Sequence, residues 1–202
     1  MRLSESPDIV IMGDPFLFQQ HKQVCVDDIP TDDFQHNLKI LRKRQLEANG
    51  IGIAAPQIGW GARVLCLGIS EETRSRYPTA VDIPLSFWIN PTILETSKDT
   101  CWTWEGCLSV PGMRGWVERP SAVKIRGFNE QGEVIEADLS GFAARVMLHE
   151  LDHLNGRLFT DQVDSPKLLL SNDAFQHQDI WPEGWPTENA RKASPGGLST
   201  ER

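Results

Sequence analysis

The sequence predicts an α+β fold in which antiparallel sheets pack around one buried central helix. Three observations carry that prediction: apolar residues at helical spacing in two long segments, short apolar runs between them that read as strands, and a hairpin signal at Asn129-Glu130-Gln131-Gly132. Helix, strands, hairpin, helix is not the strict βαβ alternation of a doubly wound parallel sheet.

The first helix starts at Pro30-Thr31-Asp32-Asp33, with Thr31 as N-cap and carboxylates in the first turn. Phe34, Leu38 and Leu41 then recur at i, i+4 and i+7, and Asn49-Gly50 ends the run. Arg63 to Ile69 and Phe87 to Leu94 read as strands, the second interrupted by Asn90-Pro91. Val123 to Phe128 and Glu133 to Leu139 flank the hairpin turn. The second helix opens near Ser140 and stops at Asn155-Gly156.

A chain of 202 residues with 40% hydrophobic content suits one domain, which at this size buries roughly 70% of its unfolded surface. The expected catalytic domain is 1–181. Residues 182–202 are rich in Pro, Gly, Ser and Thr, and are expected to form a disordered tail. Twenty basic against 28 acidic residues give a formal charge of −8, which argues against direct nucleic-acid binding and against anionic membranes. No apolar run approaches the ~20 residues that span a bilayer, and the first ten residues lack an export pattern. A cytoplasmic protein with free thiols is expected. Of the four cysteines, Cys66 sits in an apolar strand and reads as core, while Cys25 and Cys101 receive no role.

Within the second helix lies His149-Glu150-Leu151-Asp152-His153, an HExxH arrangement. Imidazoles at i and i+4 share one side of a helix and can grip one metal ion, while the intervening Glu150 can reach a water on it. Phe142 and Val146 extend the same face, and Met147, Leu151, Leu154 and Leu158 form an apolar neighbouring stripe, so the helix is central and buried. Buried histidines are costly without partners, and a metal gives one to both. His21, His36 and His177 lie in polar sequence and are read as surface residues. A metzincin would need a third His at position 159, which is Phe159. A gluzincin would need a downstream glutamate, and those beyond Phe159 (Glu183, Glu188, Glu201) all lie in the tail.

Upstream, Cys107 follows Gly106 in Glu105-Gly106-Cys107-Leu108-Ser109, and glycine there permits close backbone approach to a ligand or metal. Gly50-Ile51-Gly52-Ile53-Ala54-Ala55-Pro56-Gln57 satisfies a dinucleotide-binding pattern, but a helix precedes it and Pro56 interrupts the segment after it, so a nucleotide is excluded. These two segments and the HExxH helix, in this order, resemble the three motifs of the peptide deformylase family. Connecting segments extend the resemblance from the IVIMGDPFL opening through FWINPTIL and VPGMRGWVERP to Asp161, about four fifths of the chain.

The resemblance implies a deformylase-like fold in which Cys107, His149 and His153 hold a catalytic metal. It implies Glu150 as the proton carrier, and the Gln57 amide with the Leu108 backbone N–H as donors to the developing oxyanion. Fe²⁺ is the implied ion, with Zn²⁺, Ni²⁺ or Co²⁺ as substitutes. The implied substrate is the nascent formyl-Met peptide, its methionine side chain in a pocket of Ile51, Gly52, Gly106, Phe142, Val146 and His149. A general HExxH metallopeptidase and a catalytically silent binding protein are the alternatives. Glu105 is expected to accept from a ligand imidazole or to pair with Arg114 or Arg145. Two departures stand out. Leu148 replaces the family's usual Gln and should face away from the ligands. Ser165 to Trp181 carries one base, Lys167, so transient ribosome contact would not use a basic C-terminal helix.

Overall fold

The computed structural model describes residues 2–74, 83–193 and 196–201. Helix α1 spans Asp32–Glu47, with Thr31 in extended N-cap geometry. Strands β1 (Gly52–Ala54) and β2 (Val64–Leu67) come next, then the short helix α2 (Glu71–Arg74) and β3 (Ser86–Thr96). Strands β4 (Thr100–Cys107), β5 (Val110–Pro120), β6 (Ala122–Phe128) and β7 (Val134–Ser140) lead into α3 (Gly141–Leu154). The described chain closes with β8 (Leu169–Ser171), α4 (Asn172–Gln176) and α5 (Glu188–Lys192).

Two antiparallel sheets result, one ordered β1-β2-β3-β6-β7 and the other β4-β5-β8. At β2 both faces of the larger sheet are covered. Val64 and Cys66 of β2 point to the α1 side with Leu38 and Leu41. Leu65 and Leu67 pack on the α3 side with Met147, Leu151 and Leu154. A strand buried on both faces has no polar alternation, which is why β2 reads as a plain apolar run. The expected interruption at Asn90-Pro91 is a register shift between Ile89 and Thr92, with Asn90 at φ 52°.

Helix α3 lies between the sheets, touching β1, β2, β6 and β7 on one side and β5 on the other. Gly156 terminates the turn beyond α3 at φ 73°, and a Cβ there would come within 2.8 Å of the Phe18 and Gln19 backbone. The N-terminal segment therefore closes over the end of the HExxH helix, with the His21 N–H donating to the Leu154 carbonyl at 3.0 Å.

That contact corrects the reading of His21 as a surface residue. It is buried, its Nε2 has no hydrogen-bond partner among the described residues, and burial lowers its pKa. His36 is half-buried with Nε2 3.2 Å from the Leu3 carbonyl, and His177 is exposed. Cys66 is core as expected, Cys101 is also buried, and Cys25 is exposed.

In place of the disordered tail expected at 182–202, the described residues there dock on β4. The Trp104 indole N–H donates to the Ala190 carbonyl at 2.8 Å, Thr103 Oγ1 to Gly197 O at 2.6 Å, and Trp102 and Ser199 exchange backbone hydrogen bonds. The cause is a cluster of Trp102, Trp104, Trp116 and Trp181 whose apolar surface the tail covers, Ala190 being fully buried. Residues 194, 195 and 202 lie outside the described part.

Candidate metal centre and cleft

Helix α3 brings His149 and His153 together, and the β4–β5 hairpin brings Cys107 to them. The ligand atoms of these three residues lie within 4.8 Å of one another, and Cys107 Sγ is 3.2 Å from His153 Nε2. Two metal bonds of about 2.0 and 2.3 Å at a tetrahedral angle separate their ligand atoms by about 3.5 Å, so the spacing fits one ion. One thiol and two imidazoles are a donor set for a transition metal, and three ligands leave a coordination position open.

A break in the hairpin register shapes the site. Glu105 pairs with Gly115 and Cys107 with Val110, so β5 carries extra residues, Pro111 to Arg114, opposite this short stretch of β4. Those residues and α3 wall a cleft of about 320 Å³. Its lining includes Cys107, His149, Glu150, Gln57 and Leu108, and also Ile51, Gly52, Gly106, Phe142 and Val146. His153 sits behind this surface, almost wholly buried. Leu148 packs with Leu65, Trp88 and Ile125 outside the cleft lining, facing away as expected.

The Gln57 amide is held in one orientation. Its Oε1 accepts from the Ala54 N–H at 2.8 Å, which turns Nε2 toward Ser109 Oγ at 3.2 Å and Cys107 Sγ at 3.5 Å. The N-terminal segment fixes the same corner, Val10 N–H donating to Gln57 O and Met12 N–H to Ser109 O.

Both expectations for Glu105 are met in part. Its Oε2 receives His149 Nδ1 at 2.8 Å, which leaves the other ring nitrogen of His149 for the ligand side. Arg145 Nη1 reaches Oε1 at 3.0 Å, while the second guanidinium is that of Arg119, not Arg114, at 2.6 and 2.9 Å. Arg119 also donates to Asp152 Oδ2 at 2.7 Å, tying β5 to the HExxH helix. Arg119 escaped sequence reasoning because its hairpin was not recognised as strands. In the register, Arg119 faces Cys101 and Gly115 faces Glu105, and even spacing then puts Arg119 on the Glu105 face.

Burial alone would raise the Glu105 carboxyl, but Arg119 and then His149 hold it well below the usual carboxylate range. Burial would likewise lower His149, yet its contacts with Cys107 and Glu105 push it well above an ordinary imidazole. His153 is held well below by burial and by the charges of His149 and Arg119, which favours the neutral imidazole, the form a metal requires. Burial pushes Glu150 up to about 7, and its Oε2 has no hydrogen-bond partner among the described residues. A carboxylate poised near neutrality beside a metal-ligand set is suited to carrying a proton both ways.

Fold and site together define a metal-dependent hydrolase of the HExxH type. A family model described as polypeptide deformylase matches residues 7–168. A peptide deformylase of Leptospira biflexa is 38% identical over 169 residues, covering 82% of this chain and 92% of that one. A crystal structure of an Acinetobacter baumannii class I type b peptide deformylase with Met-Ala-Ser bound superposes with a TM-score of 0.74 at 36% identity, covering 81% of this chain and 100% of that one. One from Synechococcus elongatus in complex with actinonin gives 0.69 at 32%, covering 82% and 84%. The chain belongs to the peptide deformylase family. That membership supports a deformylase enzyme and neither alternative, internal peptide-bond cleavage or a catalytically silent binding role.

Proposed function

We propose that the cleft hydrolyses the N-formyl group of the initiator methionine on nascent polypeptides, releasing formate. The observation that carries this reading is the convergence of Cys107, His149 and His153 within 4.8 Å at a cleft that Glu150 and the locked Gln57 amide also line. The Acinetobacter baumannii relative binds Met-Ala-Ser, and the same class of peptide suits this cleft.

In this mechanism Cys107, His149 and His153 hold the metal. When bound, a divalent ion supplies Lewis acidity, polarising the formyl carbonyl and acidifying the attacking water. Glu150 takes the proton from that water and returns it to the departing amine. The Gln57 Nε2–H and the Leu108 backbone N–H donate to the oxygen as negative charge develops, a contribution worth about 10²–10³ in rate for one donor. Ile51, Gly52, Gly106, Phe142 and Val146, with His149, receive the methionine side chain, an unbranched apolar group suited to a pocket lined this way. A formyl group carries only hydrogen on its carbonyl carbon, so crowding by Gly52 and Leu108 admits it and excludes larger acyl groups.

The proposed native ion is Fe²⁺; Zn²⁺, Ni²⁺ and Co²⁺ share its compatibility with one thiolate and two imidazoles. The proposed setting is the cytoplasm, with transient ribosome contact through the nascent substrate. No described helix is long and apolar enough to cross a membrane. Helix α4, NDAFQ, carries no base with which to dock on RNA.

The test is anaerobic formate release from formyl-Met-Ala-Ser against acetyl-Met-Ala-Ser. Formate from the first and no deacylation of the second is expected, and metal-loaded protein that releases none overturns the reading. Cys107→Ala should purify without stoichiometric metal; full occupancy in that variant would sink the ligand set.

A further inference from the structure

The segment just beyond the family match contributes a side chain to the cleft. Strand β8 pairs with β5 through Gly115↔Leu169, Arg114↔Leu170 and Met113↔Ser171, and so delivers Asn172 beside the extra residues of the hairpin. Asn172 lines the cleft together with Gly112, Met113 and Arg114, and it lies beyond residue 168, where the match to the family ends. The turn that presents it is fixed by Ser171 Oγ accepting from the Ala174 N–H at 3.1 Å.

The amide of Asn172 is unlike those of Gln45 and Gln57, which are held by hydrogen bonds to backbone groups. Its Oδ1 is buried with no hydrogen-bond partner among the described residues. Buried polar atoms in folded proteins are nearly always paired, and an exception in a cleft calls for a ligand that completes it. A primary amide offers both donor and acceptor, the complement of a peptide unit, which offers both in return. Phe175, one helical turn further on, lies under the Arg114 guanidinium at 4.9 Å, so the same segment also positions a cleft cation.

We infer that Asn172 is a specificity-determining residue for the substrate, hydrogen-bonding the peptide main chain downstream of the methionine. The proposed methionine pocket takes Phe142, Val146 and His149 from α3, Ile51 and Gly52 from the β1 corner and Gly106 from β4, whereas Asn172 stands just past β8 on the hairpin wall with the exposed Pro111 and Gly112. A chain extending past its methionine meets that wall; formyl-methionine alone does not. The inference rests on the deformylase reading above.

The experiment compares metal-loaded wild type with Asn172→Leu, which keeps the side-chain size, and Asn172→Ala. KM and kcat are measured on formyl-Met-Ala-Ser and on formyl-Met. One lost hydrogen bond corresponds to about a five- to tenfold rise in KM. That rise is expected on the tripeptide alone, with kcat unchanged and formyl-Met kinetics unaltered in both variants. Equal effects on the two substrates, or none on either, overturn the inference. Calorimetric binding of the product Met-Ala-Ser to the holoenzyme needs no turnover and separates the two claims. Weakening by the same factor supports the role of Asn172 and unchanged affinity overturns it, while formate release by wild type tests the deformylase reading independently.

Discussion

Glu105 Oε2 lies 2.8 Å from His149 Nδ1, so an acid two residues before the candidate cysteine ligand orients a candidate histidine ligand forty-four residues away. The same carboxylate faces the guanidiniums of Arg119 and Arg145, all three side chains being buried. Glu105→Gln removes the charge that both guanidiniums face and weakens the hold on the imidazole. Metal affinity should fall about 10- to 100-fold, the usual cost of losing such an orienting partner. Stability should fall by about 3 kcal/mol, because Arg145 keeps only weaker partners. Competition with a chromophoric chelator reads the first and urea denaturation of metal-free protein the second; unchanged metal affinity would remove Glu105 from the ligand-orienting role.

Glu150 gives the metal-free protein a pH-dependent stability of definite sign. Burial raises its pKa from the ordinary 4.5 to about 7, so the fold prefers the protonated carboxyl. This contribution is fully present below about pH 4.5 and is lost as pH rises through 7, a difference on the order of a few kcal/mol. Glu150→Gln is neutral at every pH. Thermal melts after chelation should therefore show the variant gaining on wild type between pH 5 and 8, and nearly matching it at pH 4.5. The same variant should lose about 10²–10⁴ in kcat when loaded with metal. Parallel melting curves across that range would mean that Glu150 is solvated.

Burial geometry decides which elements the sequence disclosed and which it hid. Helix α3 was legible because Phe142, Val146, His149 and His153 share a helical face, and β6–β7 because Asn129 and Gly132 mark their turn. The β4–β5 hairpin was not. Cys101, Trp102, Thr103, Trp104 and Glu105 are all buried, since one face meets the α3 network and the other the tryptophan cluster, so period-two alternation is lost. With the hairpin unread, Arg119 could not be placed opposite Cys101, nor Asn172 beside Met113. The candidate metal-binding group needed no strand assignment, because Cys107, His149 and His153 stand in short contiguous motifs.

Gly52 gives Glu150 its room. A Cβ built at Gly52 would come within 2.8 Å of Glu150 Cγ and Cδ, closer than carbon atoms pack, so the Glu150 side chain has to shift. Gly52→Ala must displace the carboxylate without touching Cys107, His149 or His153. The expected result is a kcat at least tenfold lower with metal content unchanged, since a misplacement of about 1 Å can cost 10²-fold. Elemental analysis beside formate kinetics checks it; loss of metal in step with activity would show that Gly52 supports the ligands instead.

Docking of the chain end on β4 makes a prediction opposite to that of a disordered tail. Trp104→Phe keeps the aromatic packing against Trp116 and Phe175 but removes the donor to the Ala190 carbonyl. One buried hydrogen bond is worth about 1 kcal/mol, which for a chain this long shifts Tm by about 2–4 °C. Deleting residues 182–202 removes that bond together with the Thr103–Gly197 and Trp102–Ser199 pairs and uncovers indole surface. The truncated protein should melt at a lower temperature than Trp104→Phe, and acrylamide should quench its tryptophan fluorescence more efficiently than in the full chain. Because Thr103, Trp104 and Glu105 also line the cleft, KM for formyl-Met-Ala-Ser should rise as well. A truncated protein with wild-type Tm and quenching would restore the tail to a solvated appendage.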